Sequence, residues 1–371
     1  MSSRCRSPRS GGSCIRKRAE HRNHVWTYDF VFEALVHESH EKSRQLSWSW
    51  IRAYCLGHAP SMKSRVHPRY KTKYRVSNWS KYDQALVQRG DITLWVTDDA
   101  IASWNPAPSG IRGGQRKFSN HAIEAALSLR LVFKLPLRQT EGFLRSILSL
   151  MDLDLEAPEH TTLSRRSQRL DVGLDHAASN RPIHLVVDST GLSIVGQGEW
   201  AAVKHGGSGK RAWKKLHLGV DRFGMIVAEV LTDGNADDSN TALNIIDEMN
   251  GAIASFTADA AYDTTAIYEA AATRGTTVIV PPRRSATRSR QPGARDRTAR
   301  RVKEVGRRQW KKESGCHQQA RVENTFFKYK SMIGPGLRAR HPGSQEAEAL
   351  VAGNILNQMF ELGRPKSFAI K

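Results

Sequence analysis

Cysteine is scarce in this chain. Four thiols (Cys5, Cys14, Cys55 and Cys316) stand among 371 residues, with no CxxC spacing between any two. That excludes a zinc ribbon and a disulfide framework, and it suits free thiols in a reducing compartment. Long apolar runs are missing too: no stretch reaches the roughly 18–20 residues a membrane-spanning helix needs. The first residues, Met1 to Arg6, lack the apolar core of a secretion signal. A cytoplasmic, nucleoid-associated protein with no membrane partner is expected. Acidic residues are also few, 36 against 57 lysines and arginines, for a formal net charge of +21. Self-repulsion of that size opposes compaction, so its use lies in a polyanionic partner, nucleic acid before any other.

The composition is uneven along the chain. Residues 1–61 are rich in Arg, Ser and His with no sustained period, and read as an aberrant, disordered basic leader. Arg22 to Val31 resembles the strand that carries the first catalytic aspartate in integrase-like transposases of the insertion-sequence-three type. No partner carboxylates follow at useful spacing, so Asp29 is assigned no catalysis. Met62 stands where the sequence becomes regular and is expected to be the original start. Residues 62–118 interleave lysines and arginines with Tyr70, Tyr74, Trp79 and Tyr82, a mixture suited to DNA backbone and bases.

Residues 119–180 read as helical. Leu137, Thr140, Phe143, Leu144, Ile147, Leu148 and Met151 share one helical face. After a break at Asp152 to Pro158, His160-Thr161-Thr162 offers caps for a short helix carrying Arg165, Arg166 and Arg169. Helix, turn and short basic helix predict a helix-turn-helix-like DNA-binding region in which those arginines meet phosphates or guanine edges.

From residue 181 to 365 the pattern changes. Ile183–Asp188, Gly191–Gly196, Trp213–Asp221 and Met225–Thr232 read as successive strands. A helix capped by Asp238-Ser239, a strand Ile253–Asp259, a helix capped by Asp263-Thr264 and a strand Thr276–Val280 follow. Adjacent antiparallel strands, then alternating helix and strand, predict an α/β fold with a mixed sheet and flanking helices. Residues 283–312 hold thirteen lysines and arginines against Asp296 and Glu304, more than half the net charge. This block is expected to be a basic loop in contact with phosphate, mobile in its first half. Asp233 to Asn244 hints at a calcium loop, but the sixth position is Asp238 rather than glycine and the twelfth is Asn244, so it is rejected.

Three acids share a logic. Asp188 ends the first predicted strand, Asp259 ends a later one 71 residues on, and Glu323 sits 64 residues further on, in a predicted helix. Strand ends beneath a covering helix can gather three carboxylates. Such a cluster repels itself unless divalent cations occupy it, and two Mg²⁺ ions (or Mn²⁺ in their place) would serve in-line phosphoryl transfer.

These residues carry a specific resemblance. Tyr74–Trp95, Pro158–Arg166, Val186–Leu192, Lys204-His205-Gly206, Trp213–Asp221, Ala258–Asp263 and Arg321–Lys330 resemble, in order, the DDE transposases of the insertion-sequence-five family. The resemblance implies an RNase H-like core with Asp188, Asp259 and Glu323 as catalytic, metal-holding acids and Lys330 on DNA phosphate. It implies cleavage at the terminal inverted repeats, attack of the freed 3′-OH on target DNA, and a homodimer in the synaptic complex. Arg321, Lys214 and Lys215 are further candidates for DNA contact. One departure stands out. The related signature places tyrosine and arginine seven and four residues before the glutamate, where this chain has Cys316 and Gln319. Glutamine keeps a donor but loses the charge and the bidentate fork. An impaired or catalytically inactive DNA-binding remnant, at most a repressor of transposition, is the alternative expectation.

Overall fold

The computed structural model describes residues 73–107, 110, 113–175, 181–196, 213–286 and 293–370. The leader, Asp29, Met62, Lys204-His205-Gly206 and three of the four cysteines lie outside the described residues.

A sheet forms the centre. Its strands are β2 (Ile183–Ile194), β3 (Trp213–Val220), β4 (Ile226–Asp233), β5 (Ile253–Thr257) and β6 (Thr277–Ile279), in the order β4-β3-β2-β5-β6. β4, β3 and β2 are antiparallel, while β5 and β6 run parallel to β2. Counted from β2 the order is 3-2-1-4-5, the RNase H-like arrangement. A two-residue strand, β7 (Gly336–Leu337), pairs with the far end of β2. β1 (Lys73–Val76) lies apart and pairs with β8 (Ser367–Ile370), so part of the basic-aromatic stretch read as DNA-facing forms a ribbon with the chain's other end.

The predicted break at Ser189-Thr190 does not exist. β2 runs unbroken through it because β3 pairs with it from Val186–Val220 to Ser193–Trp213. Gly191 is there for room: a Cβ would meet the Trp213 ring at 3.3 Å. Asp188 therefore lies within a strand. The parallel neighbour β5 ends earlier, with Thr257 opposite Val186, so one flank of β2 is uncovered just where Asp188 stands.

Alternation along β2 divides the core. Leu185 and Val187 face a cluster with Ile245, Ile246, Phe256 and Tyr262, beneath α6 (Asp238–Glu248) and α7 (Thr265–Thr273). Val186 and Leu192 face the opposite cluster, with α10 (Ala320–Met332) and α11 (Pro342–Leu362). That second cluster also takes in α3 (Asn120–Val132), α4 (Leu137–Leu150) and α5 (His160–Arg166), so the helical region and the sheet share one core. Nine residues, 151–159, join α4 to α5, more than the about three or four of a helix-turn-helix. The expected hydroxyl cap on α5 is replaced by Glu141 of α4, which accepts from the His160 backbone N–H at 3.0 Å and lies 2.8 Å from its ring.

The basic block is corrected as well. Its second half is two helices, α8 (Ala294–Val305) and α9 (Arg307–Glu313). Asp296 accepts from the Gly293 N–H at the start of α8, and Arg301 pairs with Glu313 across the two helices. Arg, Ala, Lys and Glu are good helix formers, and charge alone obscured that. Residues 287–292 lie outside the described residues. Asp263 anchors this pair of helices. Its fully buried carboxylate accepts from the Arg283 N–H at 2.9 Å and from Arg295 through two bonds of 2.8 and 3.0 Å. It is not the helix cap read from sequence. Asp263→Asn is expected to weaken this anchor by about 1.5–2 kcal/mol, the scale of a hydrogen bond to a charged group. Limited proteolysis should then cut near residues 287–313 at least about ten times faster, with the rest of the chain unaffected.

Candidate functional site

The site lies where β2 loses its parallel neighbour. Asp188 is half-buried, and its Oδ1 accepts from the Ser189 N–H at 2.8 Å. Asp259, exposed two residues past β5, caps a 3₁₀ turn by accepting from the Ala261 N–H at 2.7 Å. Glu323 sits exposed in the first turn of α10, the helix packed over this end of the sheet. Asp188 feels the charge of the other two. Asp188 is pushed up to about 6, first by burial and then by the charges of Asp259, Glu323 and Asp238, with the Ser189 N–H pulling the other way. Among the described residues no cation of the chain pairs with Asp188, Asp259 or Glu323.

Lys330, two turns along α10 from Glu323, donates to Thr190 Oγ1 at 2.7 Å. Thr190 stands two residues past Asp188 on the same face of β2, so the helix brings an ammonium to the strand that carries Asp188. Burial lowers the lysine's pKa. Gln319 reaches the same strand from the turn before α10. Its Nε2 lies 3.4 Å from the Val187 carbonyl, and its Oε1 is buried without a partner. Cys316 is buried, 5 % exposed.

Sequence reasoning missed a fourth acid. Asp238 was read with Ser239 as a helix cap, but the capping side chain is Asp237, which accepts from the Asn240 N–H at 2.9 Å. Asp238 instead lies 3.3 Å from Lys215 Nζ and 3.6 Å from the fully buried His217 ring, near enough to raise Asp188. Burial keeps that imidazole neutral, down to about 4. The doubled Asp237-Asp238 was the available signal, since one cap needs only one carboxylate.

The candidate DNA contacts divide by exposure. Arg165, Arg169 and Arg321 are exposed. Lys214 pairs with Asp233 at 2.7 Å, and Lys215 donates to the Ala236 carbonyl at 2.7 Å. Arg166 turns inward and donates to the Phe118 carbonyl at 2.8 Å and to Asn120 Oδ1 at 2.6 Å, fixing the start of α3. Arg166→Ala should therefore cost about 1–2 kcal/mol of stability in a urea titration, and leave the salt dependence of DNA binding as it was. A reduced salt slope would show that Arg166 meets phosphate instead.

Carboxylate oxygens are hard donors of the kind Mg²⁺ takes. Asp188, Asp259 and Glu323 fit such an ion in chemistry, and the charges of Asp259 and Glu323 that add to the effect of burial on Asp188 are what a cation would offset. Their carboxylates do not yet close on one point: among the described residues no three acidic, imidazole or thiol groups stand close enough to grip a single ion.

Comparison with known proteins identifies a family. Two family models, each described as a transposase DDE domain, match residues 87–197 and 179–357. Among solved structures the chain is similar to a piggyBac transposase, determined as a synaptic complex with hairpin DNA. That match has 12 % identity and a TM-score of 0.36, and covers 74 % of this chain and 76 % of the other. It is also similar to a chain of the simian T-cell lymphotropic virus intasome in complex with PP2A regulatory subunit B56 gamma, at 14 % identity, a TM-score of 0.22 and coverage of 57 % and 67 %. The family models span the sheet, all three acids and most of the helical region, and the chain belongs to the DDE transposases.

Proposed function

We propose that this protein cleaves DNA at the ends of an insertion sequence of the insertion-sequence-five type and joins the freed 3′-OH to target DNA. The observation that supports this reading is Asp188 on the uncovered flank of β2, where the charges of Asp259 and Glu323 add to the burial that raises its carboxyl. Asp188, Asp259 and Glu323 would hold Mg²⁺, which when bound supplies charge neutralisation at the reacting phosphate. Lys330, steadied by Thr190, contacts a phosphate oxygen beside the acids. Arg165, Arg169 and Arg321, with the cationic α8 and α9, bind the DNA backbone. The terminal inverted repeats and target DNA are the partners, a homodimer forms the synaptic complex, and the protein acts at the nucleoid. Among the described residues no helix is long and apolar enough to cross a membrane.

A second reading has its own observation. Gln319 occupies the position where the family signature carries an arginine, and its amide is turned to the Val187 carbonyl rather than to an open phosphate site. That favours a copy with weakened cleavage, or a DNA-binding remnant.

A supercoiled plasmid carrying the element's ends, incubated with protein and Mg²⁺, separates these readings. Cleavage at the ends that EDTA abolishes is the expected result. Salt-sensitive binding without cleavage identifies the remnant, and cutting that ignores the ends overturns the transposase assignment. Gln319→Arg should then raise cleavage. Cys316→Tyr is a poor repair, because a ring in place of a buried thiol overpacks the site by about 1–3 kcal/mol.

A further inference from the structure

A second polar cleft lies away from the three acids, between α3, the end of α5 and the Arg338–His341 strap that leads into α11. Its volume is about 380 Å³. Arg130, Arg338 and Arg340 line it, with Glu348 as the acid among its lining residues. Arg130 is 9 % exposed, and its Nε has no hydrogen-bond partner. Its Nη1 stands 3.6 Å from Glu348 Oε2. That carboxylate already accepts two backbone donors, the Arg338 N–H at 2.8 Å and the Ala339 N–H at 2.7 Å. Arg338 lies near enough to Arg130 to oppose its charge, and among the described residues its own side chain reaches the Leu135 carbonyl alone, at 3.4 Å.

A guanidinium presents five donors in a rigid fork, and burying it half-matched is costly. Three arginines and one carboxylate line the cleft, and that carboxylate pairs with Arg130 alone among them, so the lining keeps an excess of positive charge. A tetrahedral anion supplies both the charge and the geometry a guanidinium fork reads best. The positive surface also continues outward from the cleft. Arg340 is exposed at its edge, and the exposed Arg165 and Arg169 each follow a residue that lines it, Ser164 and Gln168. A free anion needs no such track, whereas a nucleic-acid backbone does.

We propose that this cleft is a phosphate subsite that holds one phosphodiester of bound DNA, with Arg130 at its base and Arg340 at its mouth. The proposal rests on the reading that the protein handles DNA, and it adds a grip on the face formed by the helical region, separate from the cleavage site. Arg130 and Arg340 escaped the sequence reading because neither belongs to a run of charge; folding brings together residues about 200 positions apart.

The test measures binding of a fluorescent DNA duplex across a KCl series for the wild type, Arg130→Lys and Arg340→Gln. Arg130→Lys keeps the charge and loses the fork, so general electrostatics alone leaves it unchanged. The expected result is about tenfold weaker binding in each variant, with the salt slope lowered by about one in Arg340→Gln. Inorganic phosphate should also raise the wild-type Tm in a chloride background, and raise it less in both variants. Should Arg130→Lys fail to fold, Arg340→Gln, altered at an exposed side chain, decides alone. Unchanged affinity and slope in the folded variants overturn the subsite and leave the transposase reading standing. A phosphate-dependent Tm shift without any DNA effect overturns it too, since the cleft then takes only a small anion. Absence of DNA binding by the wild type overturns both.

Discussion

Asp188→Asn is expected to remove cleavage at the element's ends almost completely while leaving the fold as stable as before, or more so. The amide keeps an oxygen for the Ser189 N–H that Asp188 Oδ1 now accepts at 2.8 Å. It removes a charge that burial, Asp259, Glu323 and Asp238 all disfavour, as the rise of this carboxyl to about 6 reports. What it takes away is a hard anionic ligand. Loss of one preorganised electrostatic group at a reaction centre costs on the order of 10²–10³ in rate, and a primary metal ligand should sit at or beyond that range. Plasmid cleavage gives the first readout. Thermal denaturation with and without Mg²⁺ gives the second: the wild type should gain stability with the ion by mass action, and the variant should not. Cleavage at the wild-type rate in a folded Asp188→Asn protein would end the assignment of this residue.

Glu229 predicts an unusual dependence of stability on pH. It lies in β4 opposite Leu218 and faces α11, and both its carboxyl oxygens are buried with no hydrogen-bond partner among the described residues. Burial drives its pKa well above the ordinary 4.5, so the folded protein keeps this carboxyl neutral. The unfolded chain releases the proton once pH passes about 4.5, whereas the folded chain does not. Stability from this group is therefore complete below that pH and falls as pH rises towards the folded pKa, by up to about 1.4 kcal/mol per pH unit. Glu229→Met, similar in length and free of charge, should match the wild type near pH 4 and be clearly more stable at pH 8. Parallel Tm–pH curves for the two proteins would contradict this. Space is part of the same arrangement. A Cβ at Gly353 of α11 would come within 2.1 Å of Glu229 Oε2, so Gly353→Ala should destabilise the wild type by about 1–3 kcal/mol. Shortening residue 229 to alanine should rescue it.

The two acids show why one was read from the sequence and the other was not. Asp188 follows a short apolar run, and Asp259 follows another, so strand periodicity alone makes each a candidate. The resemblance to the insertion-sequence-five transposases then joined them to Glu323. Glu229 sits in a strand of otherwise ordinary alternation, and only the approach of α11 shows that its carboxyl has no partner. The same holds for Asp263. Its sequence context reads as a cap, and its use as the anchor of α8 depends on Arg295, which folding brings to it from 32 residues away.

What the sequence determined by itself was local and chemical. Its charge pointed to a polyanionic partner, its periods named the strands β3, β4 and β5, and its motifs singled out three acids and a lysine as candidates. Tertiary structure decided what depends on neighbours. Pairing with β3 made β2 continuous and put Asp188 inside a strand, since a hydrogen-bonded partner outweighs the turn propensity of Ser189-Thr190-Gly191. The early end of β5 opened the flank of β2 where Asp188 stands. Packing turned Arg166 inward, gave Lys215 to Asp238, and closed Arg130 into a cleft. A side chain's charge is written in its residue type. Whether that charge is paired, buried or open to a ligand is set by residues far away in the chain, and only the folded molecule brings them together.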